Sequence, residues 1–331
     1  MKVLIAGGAG FIGSTIVSAC ADHGIDTVIL DNYVTGRAEF TKGRIAYEGD
    51  IRDGELIDRI FAEHPDIDAA VHAAALIVVP DSVANPLGYY RENVSKGIEF
   101  LQHLARNKCT RLLFSSSASI YRAAEDGKVD ENSPVETLSP YANTKAVFES
   151  ILADVAVAGP TKVVSLRYFN PIGADPQLRT GLQLRKPSHA LGAMIDTHRG
   201  GGTFRITGTD WPTRDGSGIR DYVHVWDLAL AHVAALRQFD TVTGTDPYRV
   251  INLGTGNGTT VRELVTAFEQ VTGEPLKVAE AGQRPGDAAG AYTSSTLAHD
   301  LLGWRPTLSV EDGIRDSLRW AEKRDEVLGE A

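Results

Sequence analysis

The chain has 331 residues, with 33 basic and 43 acidic side chains and a net charge of −10. Apolar residues make up 43% and charged residues 23%, which excludes a disordered, collagen-like or low-complexity protein. Two cysteines are too few for a disulfide scaffold, and Cys20 and Cys109 are too far apart in the sequence to form a CxxC motif. The acidic balance argues against binding to a nucleic-acid backbone. No apolar run reaches the roughly 18 residues of a membrane span, and glycines interrupt the N-terminal apolar stretch too early for a signal peptide. We therefore expect a cytoplasmic protein.

Short apolar runs alternate with amphipathic stretches through the first half of the chain. Residues 2–6 are almost wholly apolar, as in a parallel strand that is covered on both faces. Further strands are predicted at residues 27–30, 44–48, 69–75, 111–115 and 163–167. Helices are predicted between them at residues 13–21, 53–63, 89–106 and 140–155. This alternation predicts an α/β fold with a doubly wound parallel sheet of the Rossmann type.

The regular alternation loosens after Pro171. Residues 171–222 are rich in Gly, Pro, Arg and Thr, and one helix is predicted there, at residues 189–197. Regular elements return at residues 227–236, 249–253 and 261–272. We therefore expect two domains. The larger comprises residues 1–170 with about 223–253, and a smaller C-terminal α/β domain comprises residues 171–222 and 254–331.

A glycine-rich turn joins the first predicted strand to the first predicted helix. Gly7, Gly10 and Gly13 lie in a GxxGxxG spacing, which allows a tight turn and a close approach of the backbone to a pyrophosphate at the helix N-terminus. Asp31 follows the second strand, where its carboxylate can accept hydrogen bonds from both hydroxyls of an adenosine ribose and would repel a 2′-phosphate. The pattern predicts that the larger domain binds NAD rather than NADP.

Tyr141 and Lys145 are four residues apart in the last of these predicted helices and so share one face. Lowering a phenol pKa from 10 to about 7 takes roughly 4 kcal/mol, and one cation at about 5 Å supplies on the order of 3 kcal/mol. The pair therefore suits general acid–base catalysis. A serine-rich run, FSSSASIY, ends a strand upstream. A hydroxyl there can bridge a substrate hydroxyl and the phenol, because strand ends face the ligand crevice.

These features belong to longer stretches that resemble the extended short-chain dehydrogenase/reductase family and, within it, the UDP-glucose (UDP-galactose) 4-epimerases. The matching stretches are GGAGFIG, ILDN, EGDIRD, FSSSASIY, SPYANTK, LRYFNPIGADP, DGSGIRDYVHVWDLA, INLGTGNG and RPGD. They run from residue 1 to about residue 305, and RYFNP and RDYVHV are much more specific than the glycine turn. The resemblance implies a reversible 4-epimerisation of UDP-glucose and UDP-galactose through a transient 4-keto sugar and bound NAD.

The same resemblance implies a set of site residues, with catalysis carried by Ser117, Tyr141 and Lys145. The residues expected to bind NAD are Gly7, Gly10, Phe11, Ile12, Gly13, Asp31, Asn32, Asp50, Ile51, Ala73, Ala75, Asn93, Ser115, Tyr141, Lys145 and Tyr168. The residues expected to bind the UDP-sugar are Ser117, Tyr141, Asn170, His189, Arg220, Arg284, Asp287 and Ala291. Two guanidiniums suit a diphosphate, and the Asp287 carboxylate suits a ribose diol. No metal, nucleic acid or membrane is expected, and helices 89–106 and 140–155 are expected to pair across a homodimer.

Three positions depart from the family pattern or bear on the choice of sugar. Ile77 stands where the family often has a lysine, so we expect one cofactor contact to be absent. Residues 186–191 lack a pair of asparagines often found there, and His189 is expected to replace one of them as a diphosphate or sugar contact. The resemblance implies that Ala291 borders the sugar pocket, where a small side chain is expected to leave room for an N-acetyl group.

Three other functions share parts of this pattern. A nucleotide-sugar 4,6-dehydratase would carry Asp-Glu where this chain has Ala118 and Ser119, so the acid needed for water elimination is missing. A 4-epimerase of a uronate or pentose is nearer, although RYFNPIGADP favours a hexose. A non-enzymatic NAD-sensing binding protein would have no reason to keep the serine, tyrosine and lysine together.

Overall fold

The computed structural model describes residues 1–122, 126–185, 187, 189–283 and 288–330. Its strands are β1 (Lys2–Ala6), β2 (Asp26–Asp31), β3 (Ile45–Glu48), β4 (Ile67–His72), β5 (Arg111–Ser117), β6 (Lys128–Val129), β7 (Lys162–Tyr168), β8 (Asn170–Ile172), β9 (Phe204–Thr207), β10 (Ile219–Arg220), β11 (Tyr222–His224), β12 (Tyr248–Leu253), β13 (Thr259–Thr260), β14 (Val278–Ala281) and β15 (Tyr292–Thr293). Its helices are α1 (Phe11–Asp22), α2 (Gly54–Glu63), α3 (Val79–Ala84), α4 (Pro86–Tyr90), α5 (Lys96–Arg106), α6 (Pro140–Ala158), α7 (Ala190–Gly200), α8 (Val225–Arg237), α9 (Phe239–Thr243), α10 (Val261–Thr272), α11 (Thr296–Leu302) and α12 (Val310–Val327).

A seven-stranded parallel sheet forms the centre of the molecule. Its strand order is β12-β7-β5-β4-β1-β2-β3. Side chains of α1, α8 and α11 pack on one face of the sheet, and side chains of α2, α5 and α6 pack on the other. Because both faces are covered, the central strands are apolar along their length. The predicted doubly wound sheet is confirmed, and its order reverses between β1 and β4, where such sheets bind ligands.

Local polar contacts set where the helices around this sheet begin. Ser139 accepts a hydrogen bond from the Ala142 amide at 3.2 Å, so it caps α6 as its sequence predicts. Asp53 caps α2 in the same way through the Leu56 amide. The helix predicted at residues 89–106 is instead α4 and α5, joined by a π turn at Arg91–Ser95. Asn85 and Pro86 start α4 with a cap of their own, so that helix begins earlier than predicted.

The residues beyond the sheet form a smaller layer built on α7, α10 and α12. Phe204, Phe268 and Ile314 are among the buried side chains of its apolar core. Short two-stranded pairs, β8 with β11, β9 with β14, β10 with β13 and β6 with β15, link this layer to the loops beside the sheet. Within the residues described, none of the helices is long and apolar enough to cross a membrane. The division into two domains remains a prediction.

Candidate active site

The glycine turn between β1 and α1 lies at the point where the strand order reverses. Gly7 has a φ of +83°, and a Cβ there would lie 2.6 Å from the backbone nitrogen of Ala74, in the turn after β4. A Cβ on Gly13 would overlap the Gly7 carbonyl oxygen. On Gly10, by contrast, a Cβ would meet among the described atoms only that oxygen, at 3.5 Å. Gly7 and Gly13 are therefore required by packing, whereas Gly10 borders open space.

The first turn of α1 faces this open space. Gly10 is the N-cap, no acidic residue lies in the first turn, and none of the described side chains caps the helix. Phe11 and Ile12 supply the first amides of the helix, whose positive dipole end favours an anion. The open space at Gly10 and the uncapped helix therefore fit a dinucleotide pyrophosphate.

Asp31 and Asn32 lie beside the turn at the end of β2. The Ala9 amide donates to one Asp31 carboxylate oxygen at 2.8 Å, and the Tyr33 amide donates to the other at 2.9 Å. Burial raises the pKa of Asp31, and these two amide hydrogen bonds oppose the rise. Each oxygen keeps a second lone pair, so the carboxylate is placed to accept a ribose diol. Asn32 turns the chain by accepting the Val34 amide at 3.1 Å.

Asp50 forms an ion pair that sequence reasoning missed. Lys96 on α5 lies 2.6 Å from carboxylate oxygens of both Asp50 and Glu92. Burial raises the pKa of Asp50, but the Lys96 hydrogen bond, the Arg52 amide and the charges of Lys96 and Arg52 together leave the pKa below its usual value. Ile51 beside it is buried. The spacing of Glu92 and Lys96 at i and i+4 was the available signal, but Asp50 is distant in sequence.

Asn93 in the π turn connects the end of β4 to α6. Its Oδ1 accepts the Leu76 amide at 2.8 Å, and its Nδ2 donates to the Leu76 carbonyl and to Thr144. The side chain thereby fixes the turn that contains Ala73 and Ala75, both partly exposed at the reversal point. Asn93 therefore positions a wall of the crevice with most of its hydrogen-bonding capacity already used.

The three candidate catalytic residues lie on β5 and α6. Ser117 ends β5, and its hydroxyl donates to Ser119 at 2.9 Å. Lys145 is buried and its Nζ donates to the Ser115 carbonyl at 2.8 Å. Burial lowers the pKa of Lys145 to about 8, and the charge of Glu149 opposes this. The structure thus brings together the serine, tyrosine and lysine that were predicted to act together.

The electrostatics of Tyr141 differ from the sequence-based expectation. Burial raises the pKa of Tyr141 above 10, and a hydrogen bond with Ser117 opposes the rise. The Lys145 ammonium donates to the Ser115 carbonyl in this structure. Tyr168 at the end of β7 is also buried, which raises its pKa. Ser115 at the end of β5 is buried, and its hydroxyl opposes the rise in the pKa of Tyr168.

The candidate substrate residues occupy the loops on the far side of the crevice. The Arg220 guanidinium donates to the Ile219 and Ala289 carbonyls at 2.7 and 2.9 Å, which ties β10 to the segment before β15. Asn170 starts β8 and is half-buried. Ala291 packs on a cluster that includes Ala118, the residue after Ser117.

Of the remaining predicted substrate contacts, one caps a helix and two lie outside the residues that the structure describes. His189 is exposed and caps α7, because its Nδ1 accepts the Gly192 amide at 3.1 Å. Arg284 and Asp287 lie outside the described residues. Among the residues that are described, no group of three or more His, Cys, Asp or Glu side chains could hold a metal ion.

The sequence of this chain is similar to those of known epimerases. A sequence profile of the NAD dependent epimerase/dehydratase family matches residues 3–254. A UDP-glucose 4-epimerase of Azospirillum brasilense is 38% identical over 333 residues, covering 100% of this chain and 94% of its own.

The chain belongs to the NAD dependent epimerase/dehydratase family.

Solved structures agree with this assignment. UDP-glucose 4-epimerase from Stenotrophomonas maltophila, with bound NAD and formylated UDP-arabinopyranose, has a TM-score of 0.92 and 34% identity, covering 98% of this chain and 99% of its own. The enzyme from Bifidobacterium longum, in complex with NAD+ and UDP, has a TM-score of 0.90 and 35% identity, covering 98% of each chain. The resemblance to UDP-glucose 4-epimerases inferred from sequence motifs is confirmed.

A buried ion pair behind the catalytic residues was not predicted. Glu149 on α6 and Arg167 on β7 are both buried and paired. Arg167 also donates to the Tyr121 hydroxyl at 2.7 Å. Glu149 lies four residues after Lys145, so the same helical spacing that relates Lys145 to Tyr141 was the available signal for Glu149.

Proposed function

We propose that the protein interconverts UDP-glucose and UDP-galactose by inverting carbon 4 of the hexose. The observation that carries the proposal is the position of Ser117, Tyr141 and Lys145 at the carboxyl edge of the sheet. That edge is also where Gly10 and the uncapped α1 leave room for a dinucleotide. The family assignment supports the same activity.

The chain's own residues divide the chemistry between them. Tyr141, as phenolate, takes the proton of the sugar 4-hydroxyl, while Ser117 shares that hydrogen bond and Lys145 stabilises the phenolate charge. The glycine turn and Asp31 would hold NAD, which would supply reversible hydride transfer at carbon 4 and so allow a transient 4-keto sugar. Tyr141 then returns its proton to the oxygen after the sugar has turned its other face.

Turning the sugar requires firm binding of UDP and loose binding of the hexose. We propose that Asn170, His189, Arg220, Arg284 and Asp287 bind the UDP part, with the smaller domain supplying most of these contacts. Arginine suits this role because its guanidinium can bind phosphate oxygens in a bidentate manner.

We also propose a cytoplasmic homodimer. The helices α5 and α6 are its expected interface, and exposed apolar residues on each of them support this assignment. They are Ile98 on α5 and Val157 on α6.

The direct test is incubation of the purified protein with UDP-galactose, first without and then with added NAD, followed by chromatography of the nucleotide sugars. Conversion to UDP-glucose is expected in the first arm if NAD copurifies, and in the second arm if it does not. No conversion in either arm would contradict the proposal. A dehydratase would instead give a 4-keto-6-deoxy sugar, which the same chromatography separates.

A second substrate is favoured by one observation. Ala291 packs on the apolar cluster that includes Ala118, the residue after Ser117, so a small side chain lies at the edge of this cluster. We propose that this space accepts an N-acetyl group, so that UDP-N-acetylgalactosamine is also a substrate. Absence of turnover at millimolar concentration, with UDP-galactose converted in parallel, would contradict this extension.

A further inference from the structure

A buried charged pair lies directly behind the catalytic residues. Glu149 and Arg167 expose 6% and 8% of their side chains, respectively. Arg167 Nε lies 2.9 and 3.1 Å from the two carboxylate oxygens of Glu149, and its Nη2 also donates to the carboxylate. Burying two charges requires desolvation that their attraction does not always repay, so such a pair is weak evidence for stability alone. Its position beside the active site suggests another role.

Two successive turns of α6 bind two successive residues of β5. Lys145 donates to the carbonyl of Ser115 at 2.8 Å. One turn later along α6, the Glu149 carboxylate accepts the hydroxyl of Ser116. The next residue of the strand is Ser117. The helix that carries Tyr141 and Lys145 is therefore fastened through Glu149 to the strand that carries the catalytic serine.

We propose that Glu149 is a positioning residue for the epimerase reaction: its carboxylate keeps Lys145 charged beside Tyr141 and fixes the end of β5 that carries Ser117. Arg167 holds this carboxylate in place through its guanidinium hydrogen bonds. The inference rests on the proposed function, because it assigns Lys145 the task of stabilising the Tyr141 phenolate.

The charges around Lys145 support this assignment. Tyr141 and Glu149 face it from α6, and at one helical turn Glu149 supplies the nearest opposite charge. His72 on β4 is fully buried, and burial lowers its pKa to about 3, so it is neutral. The remaining titratable neighbours of this cluster are Tyr89 on α4, Tyr121 after β5, Arg167 and Tyr168 on β7 and Tyr248 on β12.

The two members of the pair have opposite effects on a nearby ammonium. A carboxylate stabilises the charged form of Lys145, and a guanidinium destabilises it. When Glu149 is replaced by a neutral residue, Lys145 therefore loses its proton at a lower pH. The alkaline limb of the pH profile of kcat then moves to lower pH. At one helical turn and an effective dielectric near 20, the shift is expected to be about one to two pH units.

The experiment compares the pH profile of kcat for wild type, E149Q, R167Q and the double variant E149Q/R167Q, using UDP-galactose with saturating NAD. We expect E149Q to shift the midpoint of the alkaline limb to lower pH by about one unit or more. We expect R167Q to leave this midpoint in place or shift it to higher pH. The double variant leaves neither charge unpaired, so its limb is expected between those of wild type and E149Q. KM for UDP-galactose is expected to change less than threefold in the double variant, because both side chains are buried.

The matched control is D154N, which removes an exposed carboxylate from the same helix. A folded E149Q whose alkaline limb coincides with that of D154N would overturn the proposal, and so would equal downward shifts in E149Q and R167Q. If E149Q does not fold, the double variant decides, and a limb at or above that of wild type overturns the proposal. An inactive wild type would instead contradict the proposed function, which keeps the two failures distinct.

Discussion

The two sides of the crevice offer different kinds of groups to the ligands that we propose. On the side of the sheet, the candidate cofactor groups are backbone amides at the start of α1 and a carboxylate held by the Ala9 and Tyr33 amides. On the opposite side, the candidate ligands are long side chains such as Arg220, held by short strand pairs and loops. A site made from backbone follows from topology, whereas a site made from side chains can change with each substitution. We therefore expect side-chain substitutions to affect cofactor binding less than they affect sugar specificity.

The largest expected effect comes from the residue between the two sides. Tyr141→Phe removes the proton acceptor but keeps the ring, so kcat is expected to fall by about 10²–10⁴-fold. Because only a hydroxyl is removed, the midpoint of thermal unfolding should change by a few degrees at most. Tyr47→Phe removes a phenol on the edge strand β3 and serves as the control. Equal activity of the two variants would contradict the assignment of Tyr141.

The glycine turn allows fold and cofactor binding to be separated. Gly13→Ala places a Cβ against the Gly7 carbonyl oxygen, so we expect a loss of about 3 kcal/mol or more of stability. Gly10→Ala meets a described atom only at 3.5 Å and should fold with a stability change of about 1 kcal/mol or less. Its methyl group projects into the open space, so bound NAD should fall about tenfold or more. Denaturant unfolding and the NAD content of each purified variant test both statements, and a Gly10→Ala protein with full NAD content would contradict the site.

The same contrast explains what the sequence could predict. Gly7, Gly13 and Asp31 predict the candidate cofactor side, because a parallel sheet brings consecutive strand ends to one edge. The YxxxK spacing likewise places two candidate catalytic residues on one helix. The ion pairs Asp50–Lys96 and Glu149–Arg167 were not predicted, because each joins residues from different elements. The raised pKa of Tyr141 was missed as well, because burial and the Ser115 carbonyl that binds Lys145 are tertiary features. For residues 171–222 the sequence predicted one helix and none of the strands, because each strand there has four or fewer residues.

Acid should destabilise the core behind the cofactor side through buried histidines. Burial lowers the pKa of His72 to about 3 and that of His232 to about 4, below the usual 6.5. Between these values the unfolded chain binds a proton that the folded chain does not, so stability falls as pH decreases below 6.5. Each histidine contributes about 1.4 kcal/mol per pH unit in this range. His72→Leu should reduce the slope of unfolding free energy against pH between 6 and 4 by about that amount. An unchanged slope would mean that His72 titrates normally in the folded protein.

The smallest expected effect concerns a position where this chain departs from its family. Ile77 follows the turn at the reversal point and is 62% exposed, so a lysine there should not disturb packing. A cation beside the crevice should attract the cofactor pyrophosphate, and at an exposed site this is worth about 0.5–1 kcal/mol, or a two- to fivefold gain in NAD affinity. Val278→Lys on β14 adds the same charge at an exposed apolar position on the other side and is the control. Calorimetric titration with NAD distinguishes the two variants. If both bind NAD equally well, the gain reflects overall charge, and the departure at Ile77 has no bearing on the cofactor site.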